Sequence, residues 1–95
     1  PKEIELVLDA QPGVLESAVI GVPHRDLGET VIGLIVAAPG QSQDLEQIME
    51  AIQGTLARFK QPRRLIVVPE LPRNAMAKVQ KNILREQFKD AVHAI

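Results

Sequence analysis

The chain is predicted to be α+β, a small, mainly antiparallel sheet of about three strands flanked by helices, with a loop or hairpin that carries a lysine. Three observations lead there. Val14 to Val22 alternates between two faces, and Val31 to Ala38 is a short, continuous apolar run of the kind a doubly covered central strand needs. The connection between them is too short for a crossover helix, so the two strands should pair antiparallel. Leu45, Ile48, Met49, Ile52 and Leu56 recur at helical spacing and form the cleanest amphipathic stripe in the chain.

The elements follow in order. Pro1 suits the first turn of a helix, and Glu3 and Glu5 lie favourably near its positive end. Ile4, Val7 and Leu8 mark its buried side, and Gln11-Pro12-Gly13 stops it. On the first strand Ala18, Ile20 and Val22 share one face, and Ser17, Val19 and Gly21 the other. Pro23 to Gly28 is a loop. Gly33, inside the second strand, predicts a bulge or a close approach by another backbone. After Pro39-Gly40, Ser42 or Asp44 can cap the second helix, in which Gly54 costs about 1 kcal/mol relative to alanine. Gln61-Pro62 precedes a strand from Leu65 to Val68. Asn82 is the expected cap of a last helix whose apolar face is Ile83, Leu84, Phe88, Ala91, Val92 and Ile95.

Ninety-five residues, 45% of them hydrophobic, suffice for one small domain with one core. Phe59 and Phe88 are its only aromatics, so aliphatic side chains must fill that core. The lack of cysteine leaves no disulfide framework and no thiolate metal site, and fits a reducing, cytoplasmic setting. No apolar run reaches spanning length, so a membrane is not an expected partner. The chain enters a helical pattern directly at Pro1 and reads as a piece of a longer protein.

Net charge −1 conceals an asymmetry. Residues 1–57 carry two bases and nine acids, and residues 58–95 carry nine bases and three acids, about −7 against +6. An anionic partner for the second half is one reading, and attraction between the two halves is the other. Single-strand binding wants interleaved aromatics, and only Phe59 is placed for that, so a phosphorylated small ligand is favoured over nucleic acid.

Catalytic motifs are few. His24, Asp26 and Glu29 lie close in sequence, but no second cluster supports a metal, and none is expected. A turn is the simpler role, with Asp26 bonding local backbone and Gly28 at an unusual dihedral. No nucleophile triad and no phosphate-binding glycine pattern occurs, and His93 reads as a surface residue of the last helix. The cations remain. Arg58, Lys60, Arg63 and Arg64 crowd Pro62 and form a candidate anion site, because guanidinium forks suit phosphate oxygens. Pro72 and Asn74 make Arg73 to Ala77 an exposed loop from which Lys78 projects.

The stretch Leu71-Pro72-Arg73-Asn74-Ala75-Met76-Ala77-Lys78-Val79-Gln80-Lys81 resembles the C-terminal signature of the adenylate-forming superfamily of acyl-CoA synthetases, luciferases and adenylation domains. That signature runs Leu-Pro-Arg-Asn-x-x-Gly-Lys-Val-x-Lys, with Ala77 here in place of the glycine. Pro1 to Glu5, Gly21-Val22-Pro23-His24 with Gly28-Glu29, and Leu56 to Arg63 match further pieces, so the resemblance covers the chain. Lys78 to Glu86 looks most like malonyl-CoA synthetases.

The resemblance implies the mobile C-terminal domain of a larger acyl-CoA ligase. Residues 1–95 would form one domain, with a large N-terminal domain outside this stretch. Its partners would be that N-terminal adenylation domain, a carboxylic acid, and a lysine acetyltransferase acting on Lys78. ATP, Mg2+ and coenzyme A would be bound mainly by the N-terminal domain. Lys78 would be the catalytic residue of adenylation. Phe59, Lys60 and Arg63 would either contact the adenine or phosphates of coenzyme A or line the tunnel that its thiol arm follows, and Lys81 would matter much less than Lys78. The alternatives are an adenylation domain that loads a carrier protein, and a non-enzymatic basic module for nucleic acid or protein. Glycine at position 77 tolerates positive φ, where alanine is strained; at negative φ alanine is harmless.

Overall fold

The computed structural model describes residues 2–26, 28–40, 44–56 and 61–92. Among them, α1 (Lys2–Asp9) leads into β1 (Val14–His24) and β2 (Gly28–Ala37). Then come α2 (Leu45–Thr55), β3 (Arg64–Val67) and α3 (Lys81–Gln87). The sheet order is β1-β2-β3. β1 and β2 pair antiparallel along their length, and β2 and β3 pair parallel over Ile32 to Ile35. The expected α+β class holds, with a mixed sheet whose larger part is antiparallel. The parallel pair is possible because α2 lies between β2 and β3 in sequence and carries the chain back.

Helices cover both faces of the sheet. Ala18, Ile20, Val22, Ile32, Leu34 and Val36 face Leu71, Leu84 and Val92 in one core. Val19, Ile35 and Leu65 face Ile4 and Leu8 of α1 and Ile48, Ile52 and Leu56 of the α2 segment in the other. The register explains the division. Ala18 opposes Leu34 and Ile20 opposes Ile32, so cross-strand partners share a face, and the next residue along each strand serves the opposite core. The alternation expected for β1 is therefore the observed one.

Local signals account for several ends. Asp44 caps α2, its carboxylate accepting from the Gln47 N–H at 3.2 Å. Gly13 and Gly28 turn the chain at φ 82° and 78°. A Cβ at Gly54 of α2 would meet nothing beyond its own helix within 4 Å, as its place off the stripe implies.

Four expectations need correction. Gly33 is not at a bulge; the register shift lies between Val14 and Glu16. A Cβ at Gly33 would stand 2.8 Å from Leu65 Cδ2 and 3.1 Å from Leu8 Cδ1, so the glycine is a notch for two leucine side chains rather than for backbone. Gln80, not Asn82, is the N-cap of α3, and no side chain caps it, because the hairpin before it already holds Gln80. α3 stops at Gln87 and the chain continues in turns through Val92; of the expected apolar face Ile83 is 47% exposed, while Leu84 and Val92 are in the core. Among the described residues the turn's acceptor is buried His24 rather than Asp26, its Nδ1 accepting from the Asp26 N–H at 3.0 Å. Ser42, His93 and Ile95 lie outside the described residues.

Candidate functional site

The stretch from Pro72 to Gln80 is a small hairpin. Arg73 and Val79 form an isolated antiparallel bridge, and the Gln80 N–H donates to the Pro72 carbonyl at 2.8 Å. Asn74 closes the turn. Its backbone N–H donates to Lys78 O at 3.0 Å, and its carbonyl accepts from the Ala77 N–H at 2.9 Å. Its side-chain Oδ1 accepts from the N–H groups of Met76 and Lys78 at 2.9 and 3.0 Å. An asparagine that bonds backbone two and four residues on has the side-chain chemistry that favours tight turns. Buried Leu71 and half-buried Val79 pack the base of the hairpin onto the core shared with α3. Its tip, at Ala75 and Met76, is open to solvent.

Ala77 takes φ 62°, the one non-glycine residue with positive φ among those described. The left-handed conformation costs an L-residue with a Cβ roughly 1–2 kcal/mol. Of the two possibilities open in the sequence, alanine is thus the strained one. The strain is held in place on both sides: the Ala77 N–H donates to Asn74, and the Ala77 carbonyl accepts from Arg73 Nη1 at 2.7 Å.

Lys78 follows directly, exposed on the returning arm rather than at the tip. Its backbone is fixed by Asn74, and among the described residues its ammonium has no ion-pair or hydrogen-bond partner. With Asn74, Gln80, Lys81, Asn82 and Arg85 it lines an open hollow of about 590 Å3. Three cations at one concave surface make this the place where the domain can meet an anion.

Of the six other described cations of the basic half, four are engaged. Arg73 Nη2 donates to Glu16 Oε2 of β1 at 2.7 Å. Lys81 Nζ pairs with Glu5 Oε2 of α1 at 2.8 Å. Arg64 Nη1 donates to the Ala91 carbonyl at 2.9 Å. Lys89 binds Glu86 at 2.9 Å, and that hydrogen bond holds its ammonium above the usual lysine range. The Glu16–Arg73 and Glu5–Lys81 pairs join the acidic half to the basic half, so part of the charge asymmetry serves attraction between the two halves.

The second candidate surface is partly visible. Arg63 is exposed, its backbone N–H donating to Val31 O at 2.8 Å at the start of β3, beside buried Pro62. Its guanidinium has no partner among the described residues. Phe59 and Lys60, expected beside it, lie outside the described residues, as does Arg58. No group of three or more His, Cys, Asp or Glu among the described residues could hold a metal, and no helix there is long and apolar enough to cross a membrane.

Sequence reasoning singled out Lys78 and Arg63, both of which the structure leaves exposed, but not the ion pairs of Glu5 and Glu16. Their signal was the acidic excess of the first half, which does not say which acid meets which base.

Residues 3–78 match the family model of the AMP-binding enzyme C-terminal domain. The chain is 53% identical to ATP-bound MatB from Rhodopseudomonas palustris, with a TM-score of 0.92 over 97% of this chain and 18% of that one. It is 40% identical to the long-chain-fatty-acid–CoA ligase FadD13 of Mycobacterium tuberculosis over 97% of this chain and 18% of that protein. It is 42% identical to a 4-chlorobenzoate–CoA ligase of an Arthrobacter species over 90% of this chain and 16% of that protein. The chain thus spans under a fifth of the length of the relatives it matches.

Proposed function

Because the chain belongs to the AMP-binding enzyme C-terminal domain family, we propose that it is the C-terminal domain of an ATP-dependent, AMP-forming acyl-CoA synthetase and supplies Lys78 to the adenylation step. The observation that carries this reading is the contrast at the hairpin. Arg73 and Lys81, on either side of Lys78, are ion-paired within the domain, and the lysine between them has no partner among the described residues.

The reaction has two steps. A carboxylate oxygen attacks the α-phosphate of ATP and expels pyrophosphate, forming acyl-adenylate. The thiol of coenzyme A then attacks the acyl carbon, loses its proton and expels AMP. In the first step negative charge shifts onto the reacting oxygens and the departing pyrophosphate. A free ammonium on a fixed backbone binds that charge more strongly in the transition state than in the ground state, which raises kcat. The second step uses a different orientation of the domain, in which Lys78 is withdrawn and the surface of Phe59, Lys60 and Arg63 lines the coenzyme A tunnel. The described residues offer no cluster for the Mg2+ that accompanies ATP, so no step is assigned to it.

The test is to measure the two half-reactions separately in the full-length enzyme. The acid is chosen by pyrophosphate release from a panel of malonate, a long-chain fatty acid and 4-chlorobenzoate. Malonate comes first because Lys78 to Glu86 resembles malonyl-CoA synthetases. Lys78→Ala should slow adenylation by about 10²–10³ and leave the conversion of supplied acyl-adenylate to acyl-CoA near normal. Equal slowing of both would make the lysine structural and overturn the reading.

One specific observation favours a second reading. The chain is 40% identical over 93% of its length to ScoC, a fatty acid–acyl-carrier-protein ligase of Streptomyces coeruleorubidus. Thioester formation on a phosphopantetheinylated carrier protein, and not on free coenzyme A, would establish it. The exposure of Lys78 also makes it a target for a lysine acetyltransferase, since acetylation removes the charge and with it the catalytic contact. Mass spectrometry of protein made with and without the enzyme reads this directly. The cytoplasm, which supplies both ATP and coenzyme A, is the proposed compartment.

A further inference from the structure

The two ends of the hairpin are held by carboxylates from the other half of the chain. We infer that Glu16 and Glu5 are positioning residues for Lys78, fixing the lysine-bearing hairpin to the edge strand of the sheet before and after the catalytic position. The inference rests on the adenylation role proposed for Lys78.

Glu16 reaches the hairpin because of its place on β1. It lies two residues before Ala18 and so points to the face that Leu71 and Val79 pack against. The register shift between Val14 and Glu16 sits beside it, at the kind of irregularity that re-aims a side chain at a strand edge. Its Oε2 takes Arg73 Nη2 at 2.7 Å. The same guanidinium donates through Nη1 to the carbonyl of Ala77, the residue bonded to Lys78. One planar fork therefore connects β1 to the strained peptide immediately before the lysine.

Glu5 acts on the far side. Its Oε2 accepts from the Val19 N–H of edge strand β1 at 2.8 Å and also pairs with Lys81 Nζ at 2.8 Å. The carboxylate is mostly covered, with 19% of the side chain exposed, so this pair is shielded from solvent more than the Glu16 pair. Between the two ties run Asn74 to Gln80, with Lys78 among them. A lysine carried by a rigid domain into a site built elsewhere must arrive in one geometry. A misplacement of about 1 Å can cost about 10²-fold in rate.

The experiment compares half-reactions in the full-length enzyme, using the acid chosen above. Glu16→Ala and Glu5→Gln are made singly and combined with Lys78→Ala. Glutamine at position 5 keeps an acceptor for Val19 while removing the charge that Lys81 meets. Each single variant should lower the adenylation kcat about tenfold, with KM for ATP within about twofold and thioester formation from supplied acyl-adenylate unchanged. Glu16→Gln, which still accepts from Arg73, should recover most of the loss. In the Lys78→Ala background neither change should slow adenylation further, because a residue that acts through the lysine has nothing left to position. Lys89→Ala serves as the neutral control.

Adenylation within about twofold of normal in both tether variants, beside a crippled Lys78→Ala enzyme, would overturn this inference alone. A further loss of the same size in the Lys78→Ala background would also overturn it, by showing a general structural role. Normal adenylation by Lys78→Ala would overturn the proposed function and this inference with it.

Discussion

The hairpin around Lys78 and the junction around Arg63 look alike in sequence. Both are basic, both contain a proline, and both carry several cations within a few residues. In three dimensions they are organised differently. At the hairpin the cations divide their work: Arg73 and Lys81 hold the backbone through Glu16 and Glu5, and Lys78 is free. At the junction the division falls between adjacent residues. Arg64 bonds the Ala91 carbonyl and fixes β3 to the C-terminal turns, while the Arg63 guanidinium is exposed. The difference teaches that a cluster of positive charge is not one site. Each member either anchors the fold or waits for a ligand, and the partner decides which.

Beyond Lys78→Ala, changes at four positions press on this comparison. The largest effect should come from Arg63→Glu in the full-length enzyme. A charge-assisted contact to phosphate contributes about 1.5–3 kcal/mol, so KM for coenzyme A should rise roughly tenfold or more while KM for ATP moves little. Lys60→Glu should behave the same way. Steady-state kinetics with coenzyme A as the varied substrate decides this, and an unchanged KM in both variants removes the pair from the site.

Arg64→Ala should give the opposite pattern. Loss of its exposed bond to Ala91 should lower stability by about 1 kcal/mol in denaturant unfolding, with KM for coenzyme A within about twofold. A coenzyme A defect as large as that of Arg63→Glu would erase the distinction between the two arginines.

The smallest effect concerns Ala77. Glycine relieves the left-handed strain at φ 62° but adds backbone entropy to the unfolded chain, so Ala77→Gly should stabilise by about 0.5–1 kcal/mol. Adenylation should stay within about twofold, because Asn74 and Arg73 still hold the peptide. A β-branched residue is worse suited to positive φ, and Ala77→Val should destabilise by more than the glycine gains. Unfolding curves of the three proteins compare the values directly, and a destabilised Ala77→Gly variant would mean that alanine is not strained.

Much of the fold was legible because its signals are local. Alternation along Val14 to Val22 assigned Ala18 and Ile20 to one face and Val19 to the other, which the structure turns into two cores where one was expected, and Asp44 ahead of the Leu45 stripe marked the start of a helix. These depend on residues within one turn or two strand positions of each other. Type and spacing marked Lys78 as an exposed loop lysine and Arg63 as one of a cluster of cations, and the roles expected of both came from resemblance.

What only the tertiary structure decided involves partners far apart in the chain. Arg73 meets Glu16 across 57 positions, and Gly33 is a notch because Leu8 and Leu65 arrive over it from two other elements. The parallel alignment of β3 depends on where α2 returns the chain, and the end of α3 at Gln87 depends on how Leu84 and Val92 must both reach the core. The sign of φ at Ala77 follows from the ring of hydrogen bonds that Asn74 and Arg73 close around it. Periodicity determines which face a residue takes. Packing alone determines what stands opposite, and so which of the seven described cations of the basic half remain without a partner.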